Sequence, residues 1–164
     1  MEPAFAVNVP DALRSVQTRP LFLLRLEVKP YQVLGVAPGG LRRIGVVPGG
    51  SFDGQRLAGT VLEGGNDWQF IRADRATTLD VRLVLKTRDD ALIGMSYQGV
   101  RYGAPEVIAQ LDRGEEVDPS TYYFRINPVF ETAAPKYDWI NRVLSIGIGY
   151  RRAHDVLYSV FEVL

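Results

Sequence analysis

Residues 42–82, RRIGVVPGGSFDGQRLAGTVLEGGNDWQFIRADRATTLDVR, decide the reading of this chain. Short runs of Val, Ile, Leu, Phe and Trp alternate there with glycine pivots at Gly49-Gly50, Gly54 and Gly64-Gly65. The pieces between pivots are too short for helices, and glycine accepts the positive φ that sharp turns require. The stretch therefore predicts consecutive β-strands that turn back on one another. Its second half sets Asp67, Asp80 and Arg82 beside Trp68.

The flanking sequence follows the same pattern. In Leu21–Pro30, Leu24, Leu26 and Val28 share one face, and Arg25, Glu27 and Lys29 the other, as in a half-buried strand. Thr78–Thr87 is the clearest strand, with Leu79, Val81, Leu83 and Leu85 against Asp80, Arg82, Val84 and Lys86. Leu92–Val100 returns from it as a hairpin. Further strands are expected at Gln32–Val36, Ile44–Val47, Gln55–Leu62, Trp68–Arg72, Tyr122–Asn127, Ser145–Arg151 and Val156–Val163. Gly59 inside its strand marks a bend or a close backbone approach. Helix competes at Pro105–Leu111, where a proline suits a first turn and Gly114 stops it. Residues 1–20 form an arm or short helix ahead of the body, residues 21–164.

Eight to ten short strands with little helix leave no crossover helices for a parallel sheet. The fold class is all-β. The expectation is a single-domain antiparallel β-barrel with one or two short helices, the spaced glycines favouring closure over a sandwich.

Composition narrows the chemistry. The 164 residues are 46% hydrophobic and 23% charged, and Lys+Arg balance Asp+Glu at 19 each. Such balance gives no field to gather nucleic acid or an anionic membrane. Only Lys29, Lys86 and Lys136 are lysines; the remaining basic residues are arginines, whose forks suit carboxylates and partly buried pairs. With no cysteine, disulfides, thiolate nucleophiles and thiolate metal sites are excluded. His154, the one histidine, sits in a polar turn and makes no imidazole metal cluster unless subunits share it. No cofactor is called for. No apolar run has the length of a membrane span, and residues 1–20 do not read as a secretory signal, so a cytoplasmic location is expected. The glycine pairs lack the following helix and Gly-Lys-Ser/Thr ending of a phosphate loop. No nucleophile elbow surrounds any serine.

Two constellations remain. If the Asp80–Arg82 face lines the interior, its charges must pair with each other, with nearby Asp67, or with a ligand; if it faces solvent, they are surface decoration. The second comprises Arg125 and Glu131 with Tyr137, Trp139 and Asn141 downstream. It is either an arginine clamp for a carboxylate between aromatic walls or an aromatic core strand with a rim ion pair.

Several motifs together resemble the DUF3237 family, also called UPF0311. They are Pro48–Gly54, Leu57–Leu62, Gly64–Trp68, Leu79–Arg82, Thr87–Ile93, Tyr123–Arg125, Pro128–Thr132 and Tyr137–Asn141, in that order, spanning Leu21 to the C-terminus. Arg75-Ala76 departs from an Asp-Gly turn usual in the family, which alters one loop. The resemblance implies an antiparallel barrel, lipocalin-like or allene-oxide-cyclase-like in outline. It also marks Asp67, Trp68, Asp80, Arg82, Arg125, Glu131, Tyr137, Trp139 and Asn141 as signature positions around a hollow.

On this reading the chain is a cofactor-free enzyme of isomerase, lyase or lactone-hydrolase type acting on a small oxygenated or carboxylated molecule. Asp67 or Glu131 is the acid or base, Arg82 or Arg125 the anchor, and Trp68, Asp80, Tyr137, Trp139 and Asn141 line the substrate. The rival readings are a non-enzymatic binding barrel and a packed structural protein. Homodimerisation through a sheet face or the N-terminal arm suits all three.

Overall fold

The computed structural model describes residues 9–164. Its strands are β1 (Thr18–Glu27), β2 (Gln32–Ala37), β3 (Gly40–Val47), β4 (Gly50–Asp53), β5 (Ala58–Val61), β6 (Gly65–Ile71), β7 (Thr77–Thr87), β8 (Leu92–Gly103), β9 (Tyr122–Ile126), β10 (Val129–Glu131), β11 (Ser145–Arg151) and β12 (Asp155–Val163). One α-helix, α1 (Pro105–Asp112), carries proline in its first turn and ends against Gly114, whose φ of 77° a residue with a side chain adopts at a cost. Single turns of 3-10 helix occupy Asp11–Leu13 and Pro119–Thr121, and a longer one Pro135–Arg142. The expected arm over residues 1–20 lies, over 1–8, outside the described residues.

All twelve strands belong to one antiparallel sheet in the order β10-β8-β9-β11-β12-β1-β4-β5-β7-β6-β3-β2, and β7 also pairs with β8 from Thr77–Arg101 to Lys86–Leu92. The expectation of a simple closed β-barrel, lipocalin-like or allene-oxide-cyclase-like, is thereby corrected. Among the described residues the sheet is branched and keeps two open ends, β2 bonded only to β3 and β10 only to β8. One edge of β7 is divided between β6 and β5, and one edge of β8 between β9 and β10. The cause is local. Pro48-Gly49, Leu62–Gly64 and Asn127-Pro128 interrupt what are otherwise long strands, so each half pairs with a different stretch of its neighbour.

Alternation decides what is buried. Leu79, Val81, Leu83 and Leu85 are at most 4% exposed, whereas Asp80, Arg82 and Val84 face water. Phe22, Leu24 and Leu26 of β1 and Phe124 and Ile126 of β9 join the same core. Burying each such side chain stabilises the fold by about 1.5–3 kcal/mol. Toward the start of β1 the core is aromatic, Phe22 standing 5.6 Å from Phe52 and 5.8 Å from Phe130. Gly59 is required by proximity: a Cβ there would lie 2.0 Å from the Lys86 carbonyl oxygen across the β5–β7 pairing.

Candidate functional site

Toward the end of β1 the interior turns polar. On β6 the inward positions are Gly65, Asp67 and Gln69, with Trp68 and Phe70 outward. On β8 the inward series Ile93, Met95 and Tyr97 leads on to Arg101. Arg43 enters from β3, Tyr158 from β12, and Tyr31 from the β1–β2 connection. Asp67, Gln69, Tyr97, Arg101, Tyr158 and Tyr31 enclose a cavity of about 30 Å³ with apolar wall from Leu79 and Phe124, and Arg43 is tied to Gln69 and Tyr31 without lining it.

A chain of contacts fixes the polar groups. Gln69 Nε2 donates to Asp67 Oδ2 at 2.7 Å, and its Oε1 accepts from Arg43 Nε at 2.9 Å. The Asp80 N–H donates to Asp67 Oδ1 at 3.3 Å. Arg43 Nη1 reaches Asp112 at the end of α1, 3.5 Å away. Tyr97 and Tyr158 meet edge to face at 5.6 Å, and Phe124 meets Tyr158 at 5.3 Å. Arg101 lies over the Phe124 ring, 5.5 Å from its centroid.

Electrostatics follow from this enclosure. Burial lifts the Asp67 carboxyl to about 6, against the opposing pull of Gln69, the Asp80 N–H, Arg101 and Arg43. Burial likewise raises the Tyr97 and Tyr158 phenols, with the Asp67 charge adding to it. Burial pushes the Tyr31 phenol up as well, but Arg101, Arg43 and Arg151 together outweigh it and leave it lowered. A carboxylate balanced near neutrality, with lone pairs to spare beyond its two accepted bonds, is able to take or give a proton.

The residues expected at a single hollow are dispersed. Asp67 alone reaches the polar interior. Trp68, Asp80 and Arg125 line an open groove of about 700 Å³ on the outer face, together with Arg42, Phe70 and Tyr123. Arg82 and Glu131 border a separate outer groove between β7, β8 and β10. Buried Tyr137 donates to Asp89 Oδ1 at 2.7 Å, Trp139 lies under the Arg56 guanidinium at 4.0 Å, and Asn141 bonds the Thr132 backbone in both directions. Trp68 therefore does not press on Asp67; Leu79, Tyr97 and Tyr158 do so instead.

The pattern reading missed Arg43, Gln69, Tyr97, Arg101, Tyr31 and Tyr158. For the two arginines a signal existed. The expected strands began at Ile44 and ended at Val100, whereas β3 and β8 run past both limits and carry Arg43 and Arg101 on the apolar face. Among the described residues no three His, Cys, Asp or Glu side chains gather as a metal ion would need, and no helix is long and apolar enough to cross a membrane.

The order of strands and this interior are set within a span that known proteins share. The profile of the family described as "Protein of unknown function (DUF3237)" matches residues 16–163. The chain belongs to the DUF3237 family, also called UPF0311. A UPF0311 protein of Rhodopseudomonas palustris is 34% identical over 150 residues, covering 92% of this chain and 98% of its own. Its crystal structure superposes with a TM-score of 0.89, at coverages of 92% and 99%. A structure from Acinetobacter baumannii, described as a beta-barrel like protein, has a TM-score of 0.81 at 36% identity, covering 96% of this chain and 99% of its own. A protein of Penicillium herquei, described as an enzyme, shares the fold with a TM-score of 0.68 at 18% identity, over 91% of this chain and 95% of its own.

Proposed function

We propose that this DUF3237 protein is a cofactor-free enzyme that acts on a small oxygenated organic molecule by acid–base catalysis, with Asp67 as the proton-transferring group. The supporting observation is the Asp67 carboxyl, 9% exposed and lifted to about 6, in one cavity with Arg101 and close to Arg43. Above that pH the carboxylate is a base for an acidic C–H or for a water attacking an ester carbonyl. Below it, the carboxyl is an acid. The guanidiniums stabilise negative charge developing on a substrate oxygen, in surroundings of low dielectric where that effect is large. Isomerase, lyase and lactone-hydrolase steps all meet these requirements. The description of the fold relative from Penicillium herquei as an enzyme is compatible with this reading.

A second reading, a packed structural protein, draws support from the small size of the inner cavity, about 30 Å³. One experiment separates them. A panel of γ- and δ-lactones and enolisable 2-oxo acids is assayed for turnover across pH 4–9 with the wild type and Asp67→Asn. Turnover with an inflection near pH 6, lost in the variant, supports the enzyme. No turnover anywhere on the panel, or turnover that survives in Asp67→Asn, rejects the assignment to Asp67.

A further inference from the structure

The buried guanidiniums are under-satisfied. Arg43 is 8% exposed and Arg101 3%, yet Arg43 Nη2 and Arg101 Nε have no hydrogen-bond partner among the described residues. The ion pairs of those residues leave Arg101 out, and Arg43 has only the 3.5 Å contact to Asp112. Guanidinium cannot relieve the cost of burial by losing its proton. Asp155 and Glu162, also buried, are taken up by Arg25 and Arg152 and by Arg19 and Arg56. Around the inner cavity Arg43, Arg101 and the lining Arg151 therefore face one buried carboxylate, Asp67, besides half-exposed Asp112, and positive charge is in excess. In a folded protein such an excess is matched by a counter-charge or is strongly destabilising.

Space for that counter-charge adjoins the inner cavity. Tyr31, Arg101, Arg151 and Val28 line the inner cavity and also a vestibule of about 370 Å³. Pro30, Leu111 and Ala153 give the vestibule apolar wall, while Lys29, Arg113 (paired with Glu115), Arg101 and Arg151 set positive charge around it against Asp112. The inner cavity admits a group of water size. The vestibule falls within the range of small-molecule sites, about 300–1,000 Å³.

We infer that this interior receives a small organic anion: its carboxylate or enolate oxygens point inward to Arg101 Nε, and its carbon body lies in the vestibule. Tyr31 lines both spaces. The inference deepens the reading of Asp67 as a catalytic group, since it names the substrate class, but it concerns binding and needs no turnover.

Isothermal titration calorimetry at low ionic strength tests it, with acetate, benzoate and uncharged benzamide as probes. Benzoate is expected to bind saturably with 1:1 stoichiometry, about tenfold more tightly than acetate because its ring fills the vestibule, and benzamide not at all. Arg101→Met weakens benzoate by about tenfold or more while the protein still folds, because methionine keeps the contact with the Phe124 ring and the Nε it removes makes no hydrogen bond within the described residues. Arg142→Met, on the exposed 3-10 turn, leaves binding unchanged. Equal binding of benzoate and benzamide overturns the inference in the wild type alone, whether or not a variant folds. So does benzoate binding undiminished in Arg101→Met, or no binding of either anion. Absence of lactone turnover with benzoate binding intact would leave this inference standing and reject only the catalytic role.

Discussion

The Arg43 guanidinium lies over the Tyr31 ring, 4.0 Å from its centroid. The contact joins a residue of β3 to one on the β1–β2 connection beside the polar interior. It also sets Tyr31 apart from the other phenols, because three guanidiniums act on it while Tyr97 and Tyr158 feel the Asp67 carboxylate.

An alkaline titration followed by ultraviolet difference absorbance exposes this contrast. Of the eight tyrosines, one is expected to ionise below the ordinary tyrosine range, and Tyr31→Phe removes that early step. Tyr97 and Tyr158 ionise late, with unfolding. An early step that persists in Tyr31→Phe would show that the arginines do not act on this phenol.

Asp67 imposes a pH dependence on stability whose sign is opposite to that of most carboxylates. Its folded value, about 6, stands above the 3.8 of an ordinary aspartate, so the native state binds the extra proton. Its contribution is fully present below pH 3.8 and is lost as pH rises through about 6, a change of about 3 kcal/mol. Asp67→Asn removes this loss. The amide sets its Nδ2 against the Gln69 donor, which adds a cost of about 1 kcal/mol independent of pH. Urea melts of both proteins at pH 4 and pH 8 isolate the effect: relative to wild type, the variant gains stability on going to pH 8. Parallel curves at the two pH values would mean that Asp67 is not desolvated.

The strands were legible because their side chains alternate over six or more residues, as in Thr78–Thr87, where one wrong step exposes every leucine. Gly59 was legible as a close approach because a glycine inside an apolar strand gives up a packed side chain, a loss that tight backbone contact makes necessary. The Lys86 carbonyl provides that contact. The branching of the sheet was not legible, since whether a half-strand such as β10 pairs with β8 depends on partners far along the chain. The site was harder still. Asp67 was legible only as one of a group with Asp80 and Arg82, because which of these faces inward is fixed only once β6 and β7 pack. Tyr31, Arg43, Arg101 and Tyr158 come from four separate segments, and no local spacing relates them. The motif residues Tyr137 and Asn141 hold the Pro135–Arg142 turn to Asp89 and Thr132, a structural demand that a site also imposes on sequence.

The closing strand offers the last test. Glu162 on β12 is buried, and its Oε2 accepts from Arg19 Nη2 at 2.9 Å and also from Arg56 Nη2, while Arg56 covers Trp139. Burial favours the neutral acid, yet the two arginines outweigh it and hold the carboxyl below its ordinary value. The stability it supplies is therefore present at neutral pH and disappears as pH falls through that lowered value. Glu162→Gln leaves two guanidiniums sharing one neutral oxygen. Because both arginines are partly exposed and solvent screens them, the expected loss at pH 7 is about 1–2 kcal/mol, not the larger cost of a fully buried pair. The difference between wild type and variant, read from urea midpoints, should shrink toward zero in acid. A difference that grows in acid instead would show that the arginines do not offset the burial of Glu162, and that β12 is held by its apolar face alone.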